Sequence, residues 1–207
     1  MKKWMSAVCV LMAVLFMTGC GKDNSFNPSV SSLYIEKNGE ITQAIVESFA
    51  QEYYSLDEFS AMVQKEVDVY NQKLGETKIT VESTEVKDSV MYLKLHYADA
   101  DTYRLYNEEY LFVGSVEDAL SEGLSFNMIF RDADYEGEYT AADVTENKSE
   151  TVAVAKEEGV IQLEKPVKYV SSNVEILDAH TVEVMPIEAE DEYSNRMCQS
   201  QLRFLFP

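Results

Sequence analysis

The chain has 207 residues, with 17 Lys and Arg against 37 Asp and Glu, for a formal net charge of −20. That balance excludes a nucleic-acid-binding surface, because affinity for a phosphate backbone rests on neutralising it with Lys and Arg. Length and a 46% apolar composition allow one full hydrophobic core or two small lobes.

The first predicted element is an export segment. Lys2 and Lys3 precede an apolar run from Trp4 to Met17 that only Ser6 interrupts, and Thr18-Gly19-Cys20 follows. As a helix, a run of this length covers roughly 21 Å, short of the roughly 30 Å that a hydrocarbon core demands. The order of basic start, apolar middle and small residues is that of a cleaved secretory signal over 1–19. The run Leu15-Phe16-Met17-Thr18-Gly19-Cys20 resembles the lipobox of bacterial lipoproteins, with Met17 where Leu is usual. The resemblance implies cleavage before Cys20, lipidation of its thiol, and anchoring on the extracytoplasmic face of the cell membrane. Two acyl chains suffice for stable anchoring where one does not. Removing 1–19 takes away Lys2 and Lys3 and no acid, leaving 15 basic and 37 acidic residues, net −22. Cys9 would leave with the signal and Cys20 would be acylated, so Cys198 remains without a disulfide partner and reads as a small buried residue.

Residues 20–32 read as the lipidated cysteine and a polar tether, and 33–207 as a single domain, with two lobes on either side of 131–150 as an alternative. Asn38-Gly39 between 33–37 and 40–49 predicts a β-hairpin with a type I′ turn. Ser55 with Glu58 three residues on forms a capping box that opens a helix over about 56–74. Its apolar stripe is Phe59, Met62, Val63, Val67, Tyr70 and Leu74, and Gly75 ends it. A second hairpin follows, 77–86 and 89–97 around Lys87-Asp88, with Met91, Leu93, Leu95 and Tyr97 on one face. A short helix over 98–107, a strand over 110–113 and a helical turn capped by Ser115 come next. Phe126, Met128 and Phe130 alternate as a strand would. Residues 131–150 are acidic, without periodicity, and read as a loop. Strands are predicted at 151–156, 159–164, 167–171, 173–177 and 181–185, with short connections that favour antiparallel neighbours, and Leu202, Phe204 and Phe206 alternate to the end. The fold class is α+β, mainly antiparallel sheet with one long amphipathic helix and short accessory helices.

Candidate chemistry concentrates in 132–143. Acids fall at positions 1, 3, 5 and 12 from Asp132, with Gly137 at position 6, a spacing similar to the calcium loop of EF-hand and dockerin modules. Carried over, the ligands would be Asp132, Asp134, Glu136, the Glu138 carbonyl and Asp143. Glu136 and Asp143 depart from the usual residue types, and a strand rather than a helix precedes the loop. His96 and His180, the two histidines, have neither a nucleophile elbow nor further ligands at zinc spacing, and both read as structural. Tyr103, Tyr106 and Tyr110, with Arg104 and Asn107, would serve as a stacking platform for a sugar or as an amphipathic core edge.

Two stretches, Ser32-Leu-Tyr-Ile-Glu-Lys-Asn-Gly and Asp101-Thr-Tyr-Arg-Leu-Tyr-Asn with Leu111-Phe-Val-Gly-Ser, resemble uncharacterised lipoproteins of clostridial-type Gram-positive bacteria. That resemblance adds to the localisation and supplies no site residues. The expectation is a lipid-anchored, non-enzymatic domain that binds or scaffolds an envelope protein or glycan. Calcium-dependent ligand binding through 132–143 is the second reading, and a cell-wall hydrolase using a carboxylate pair the third.

Overall fold

In the computed structural model, the described residues are 26–185 and 202–206. The export segment, Cys20, the start of the tether and Cys198 lie outside them. Two sheets form the framework, the first mixed with one parallel ladder and the second antiparallel.

The first sheet draws on both ends of the chain. Its strands are β1 (Ser32–Ile35), β2 (Ile41–Ser48), β3 (Ile79–Lys87), β4 (Val90–Tyr97), β9 (Gly159–Leu163), β11 (Val174–Asp178) and β12 (Thr181–Val184), in the order β11-β12-β9-β1-β2-β4-β3. The second comprises β5 (Leu111–Ser115), β6 (Phe130–Asp132), β7 (Glu138–Tyr139), β8 (Thr151–Ala155), β10 (Tyr169–Ser171) and β13 (Leu202–Phe206), in the order β5-β8-β13-β10-β6-β7. The helices are α1 (Leu56–Leu74), α2 (Ala100–Asn107), α3 (Val116–Ser121) and α4 (Ala141–Val144).

Alternation in β4 sends Met91, Leu93, Leu95 and Tyr97 into the core, as the sequence predicts. They join Ile35, Ile41, Ile161, Leu163 and Val182 from the same sheet, and Ala153, Ala155 and Phe206 from the second sheet. A separate cluster on the far side of the second sheet unites Val152 and Val154 with Val116 and Ala119 of α3, and with Phe126 and Phe130. β8 is therefore buried on both faces, which is why Thr151-Val-Ala-Val-Ala runs apolar without alternating.

Several predicted details change. The first hairpin carries no type I′ turn: Gly39 has φ 88° while Asn38 is not left-handed, and the Gly39 N–H donates to the Glu36 carbonyl at 3.0 Å. This is a three-residue loop, a tight turn closed by a left-handed glycine. The type I′ signature falls instead at Asp88-Ser89, with φ 51° and 62°, one residue beyond the predicted turn. β8 and β9 are not hairpin neighbours, since β9 pairs in parallel with β1 and antiparallel with β12. The connection at 156–158 carries the chain from one sheet to the other, as does that between β10 and β11. Residues 126–129 join no ladder although Phe126 is buried. Part of the predicted acidic loop is ordered into β6, β7 and the capped turn α4. Of the α1 stripe, Val63 and Val67 are buried and Phe59 and Tyr70 pack partly against the core, but Met62 and Leu74 are exposed. Of the residues placed by sequence in the tether, Ser32 opens β1 and 26–31 lie on the outer face of the first sheet. There the buried Phe26 ring stacks on Tyr34 at 5.4 Å, and the Lys94 ammonium donates to the Phe26 carbonyl.

No helix among the described residues is long and apolar enough to cross a membrane.

Asn71 ties α1 to β3. Its Oδ1 accepts from the Lys78 and Ile79 N–H groups at 2.9 and 3.0 Å, and its Nδ2 donates to the Ile79 carbonyl at 2.8 Å. Asn71→Ala strands three backbone groups and should cost about 2 kcal/mol, a fall in melting midpoint of about 4–8 °C. Gln64→Ala, on the exposed face of the same helix, should change stability by less than about 0.5 kcal/mol in the same thermal unfolding series.

Candidate functional site

The two sheets leave a cleft of ≈ 170 Å³ where β1 and β9 begin, lined among others by Leu33, Gln43, Tyr103, Glu109, Tyr110 and Glu157. α2 supplies the buried Tyr103 to its lining. The helix starts at Asp99, whose Oδ1 accepts from the Thr102 N–H at 2.7 Å and the Thr102 hydroxyl at 2.6 Å, while Lys78 Nζ sits 3.2 Å from Oδ2. It ends at Glu108, a left-handed residue with φ 59°. That turn brings Glu109 back toward the helix, and the Tyr103 hydroxyl donates to its carboxylate.

Beside Tyr103, the buried Tyr97 donates to Gln43 Oε1 at 2.7 Å and accepts from Asn107 Nδ2 at 3.2 Å. The two tyrosine rings meet edge to face at 5.2 Å, a favoured aromatic geometry. Burial pushes both phenols above their ordinary range, and the Glu109 carboxylate and the Glu157 charge add to the effect at Tyr103. Both hydroxyls therefore remain neutral donors. Glu157 and Glu158, on the connection between the sheets, complete an acidic rim, and Lys156 lies over the Tyr110 ring at 4.9 Å. The result is a small slot with phenolic walls and a negative mouth, suited to a cationic group.

A second constellation sits on the outer face of the first sheet, beyond the far end of β1. The three-residue loop sets Glu36 directly across from Glu40, with the Glu36 N–H donating to the Glu40 carbonyl at 3.0 Å. His96 of β4 places Nε2 3.7 Å from Glu40 Oε2, and its Nδ1 lies 3.5 Å from the Thr42 hydroxyl. One potential ligand atom each from Glu36, Glu40 and His96 lies within 4.8 Å of the other two. Burial, then the neighbouring Glu40 charge, raises the Glu36 carboxyl above its ordinary value; His96 opposes this, and Glu164 and Glu82 reinforce it. Glu82 is the extra residue of a bulge in β3, between Val81 and Ser83.

The structure does not gather the residues of the sequence-based calcium loop. No three carboxylates among Asp132, Asp134, Glu136, Glu138 and Asp143 have oxygens within 4.8 Å of one another. Asp132 instead accepts from the Glu136 N–H at 2.9 Å and the Tyr139 hydroxyl at 3.1 Å, and Asp143 accepts from the Thr140 N–H and hydroxyl, each at 2.7 Å, as the cap of α4. Asp132 and Asp143 thus hold turns in their own backbone. The three tyrosines do not form one platform either. Tyr103 and Tyr110 line the cleft, whereas Tyr106 packs edge to face on Tyr70 of α1 at 5.0 Å. Arg104 pairs with Asp101 at 2.9 Å, away from the slot. His180 Nδ1 lies 3.2 Å from the Leu163 carbonyl, at a strand end.

Sequence reasoning missed Gln43, Glu109 and Glu157, which only the packing of the sheets unites, and the Glu36–Glu40 pair. The last left a signal, since the hairpin register about Asn38-Gly39 opposes those two glutamates. Compared with known proteins, the chain matches no family model, no curated protein and no solved structure.

Burial alone would raise the Asp99 carboxyl, but hydrogen bonds from Thr102 and Lys78 outweigh it and hold the group below its ordinary value. A depressed carboxyl adds stability that is complete above its unfolded pKa of about 3.9 and is lost as pH falls through the folded value. Asp99→Asn keeps a good cap without the charge. The stability advantage of the wild type over this variant should therefore be constant from pH 5 to 7 and shrink below about pH 4 in urea unfolding.

Proposed function

We propose that this chain is a lipid-anchored domain on the extracytoplasmic face of a bacterial membrane, which holds an envelope partner by capturing a cationic side group in the inter-sheet slot. The convergence of Glu109, Glu157 and Glu158 with the Tyr103 and Tyr110 phenols in one cleft carries this reading. An ammonium or guanidinium entering there would meet carboxylates at the mouth and aromatic faces on the walls. The slot's ≈ 170 Å³ is below the roughly 300 Å³ at which ligand pockets ordinarily begin. It therefore suits one side group projecting from a larger partner better than a free ligand or a glycan chain. The same volume weighs against a hydrolase that would seat a sugar between Glu109 and Glu157. The lipobox-like run ending at Cys20 supports the anchor, and the net charge of −20 favours a domain that stands off anionic headgroups.

Replacing Cys20 with Ser should move the protein from the membrane fraction to the soluble fraction and abolish labelling by a clickable fatty acid in growing cells. A photo-crosslinking residue at Glu158 should yield a discrete partner adduct in intact cells. The Glu109→Gln, Glu157→Gln double variant should reduce that adduct at least about fivefold, and raising salt from about 0.05 to 0.5 M should weaken it likewise. No adduct, or one indifferent to both changes, would overturn the slot as the binding site while leaving the anchor to its own test.

A further inference from the structure

We infer that Glu36, Glu40 and His96 form a binding site for a divalent transition-metal ion, with zinc the best fit. The donor set is one imidazole nitrogen and two carboxylate oxygens, which suits zinc and its neighbours and not calcium, whose sites are built from six to eight oxygens. The three ligand atoms lie within 4.8 Å of one another, and ligands on a tetrahedral zinc stand about 3.3–3.6 Å apart. Glu40 and His96, at 3.7 Å, are already near that spacing, so rotation of the Glu36 side chain closes the set.

The framework favours the site in two further ways. The buried Thr42 sits across from His96 on β2, with its hydroxyl beside Nδ1, which leaves Nε2 directed at the carboxylates. An imidazole whose second nitrogen is oriented by a neighbour is the usual arrangement at metal sites. Second, glutamates directly opposed across a hairpin destabilise it. Among the described residues, neither Glu36 nor Glu40 forms an ion pair with a lysine or arginine; Lys37, next in sequence, turns to Glu164 at 3.5 Å. A divalent ion with a neutral imidazole cancels both charges. The half-exposed position leaves a coordination place open to water, and the acidic surface raises local cation concentration.

The test uses the full, tag-free chain in detergent micelles, stripped with chelator and titrated with zinc chloride by calorimetry and thermal unfolding. One zinc per chain and a rise in melting midpoint are expected, with calcium and magnesium chlorides producing neither at millimolar concentration. His96→Ala and the Glu36→Gln, Glu40→Gln double variant should weaken zinc at least about tenfold, and His180→Ala should leave it unchanged. Because a variant can unfold for other reasons, the wild-type chain supplies an independent readout: zinc should shift the imidazole proton resonances of His96 and not those of His180. Absence of stoichiometric binding, binding that survives both sets of substitutions, or an unmoved His96 resonance would each overturn the site.

Discussion

The structure depends on β1 being held from both sides. Its four residues pair antiparallel with β2 and parallel with β9, which lies more than a hundred residues further along the chain. This one parallel ladder joins the hairpin-and-helix first half to the strand-rich second half, so the chain on both sides of 131–150 shares one sheet and one core. The closure cost of so long a loop grows only logarithmically with its length, and apolar residues such as Ile35 and Leu163, fully buried beside the ladder, offset it.

Both candidate sites are placed by that ladder. At the start of β1 and β9, the chain brings Leu33 beside Ile161 and opens the slot between the sheets. At their far ends, the Glu164 N–H donates to the Ile35 carbonyl and the Lys37 N–H donates to Glu164. Lys37 is thereby drawn to Glu164, while Glu36 and Glu40 remain together near His96. Neither arrangement would survive a one-residue slip of β1, since that would turn Glu36 and Tyr34 to the core face.

Around α2, the polar groups inside the fold are organised as local networks. Tyr97, Gln43 and Asn107 satisfy one another, and Tyr103 is satisfied by Glu109. Such networks are worth keeping in a core only when complete, because an unpaired buried donor costs more than the bond contributes. The acidic excess is handled differently. Most carboxylates are spread over the surface, and several are used as caps and turn fasteners, as at Asp99, Asp118, Asp132 and Asp143. Within 132–143, Asp132 and Asp143 are put to that local use. A metal-loop pattern and a pair of capped turns call for the same short acidic residues, and the pattern alone does not separate them.

Local chemistry was legible at several helix ends and along β4. Ser55, Asp118 and Gly75 mark helix ends because caps satisfy backbone groups within a few residues, and the alternation of Met91 to Tyr97 reports one buried face because a strand has a period of two. The α+β class, the hairpins and the accessory helices follow from signals of that range. Sheet membership did not. A connection of three residues at 156–158 serves equally for a hairpin or for a crossing between sheets, and the partner of β9 is chosen by apolar surface far away in the chain. For the same reason Glu109, Glu157 and Gln43 become neighbours only when the sheets close. Short-range preferences are written in adjacent residues, whereas the slot and the Glu36–Glu40–His96 cluster exist only once remote strands share a register.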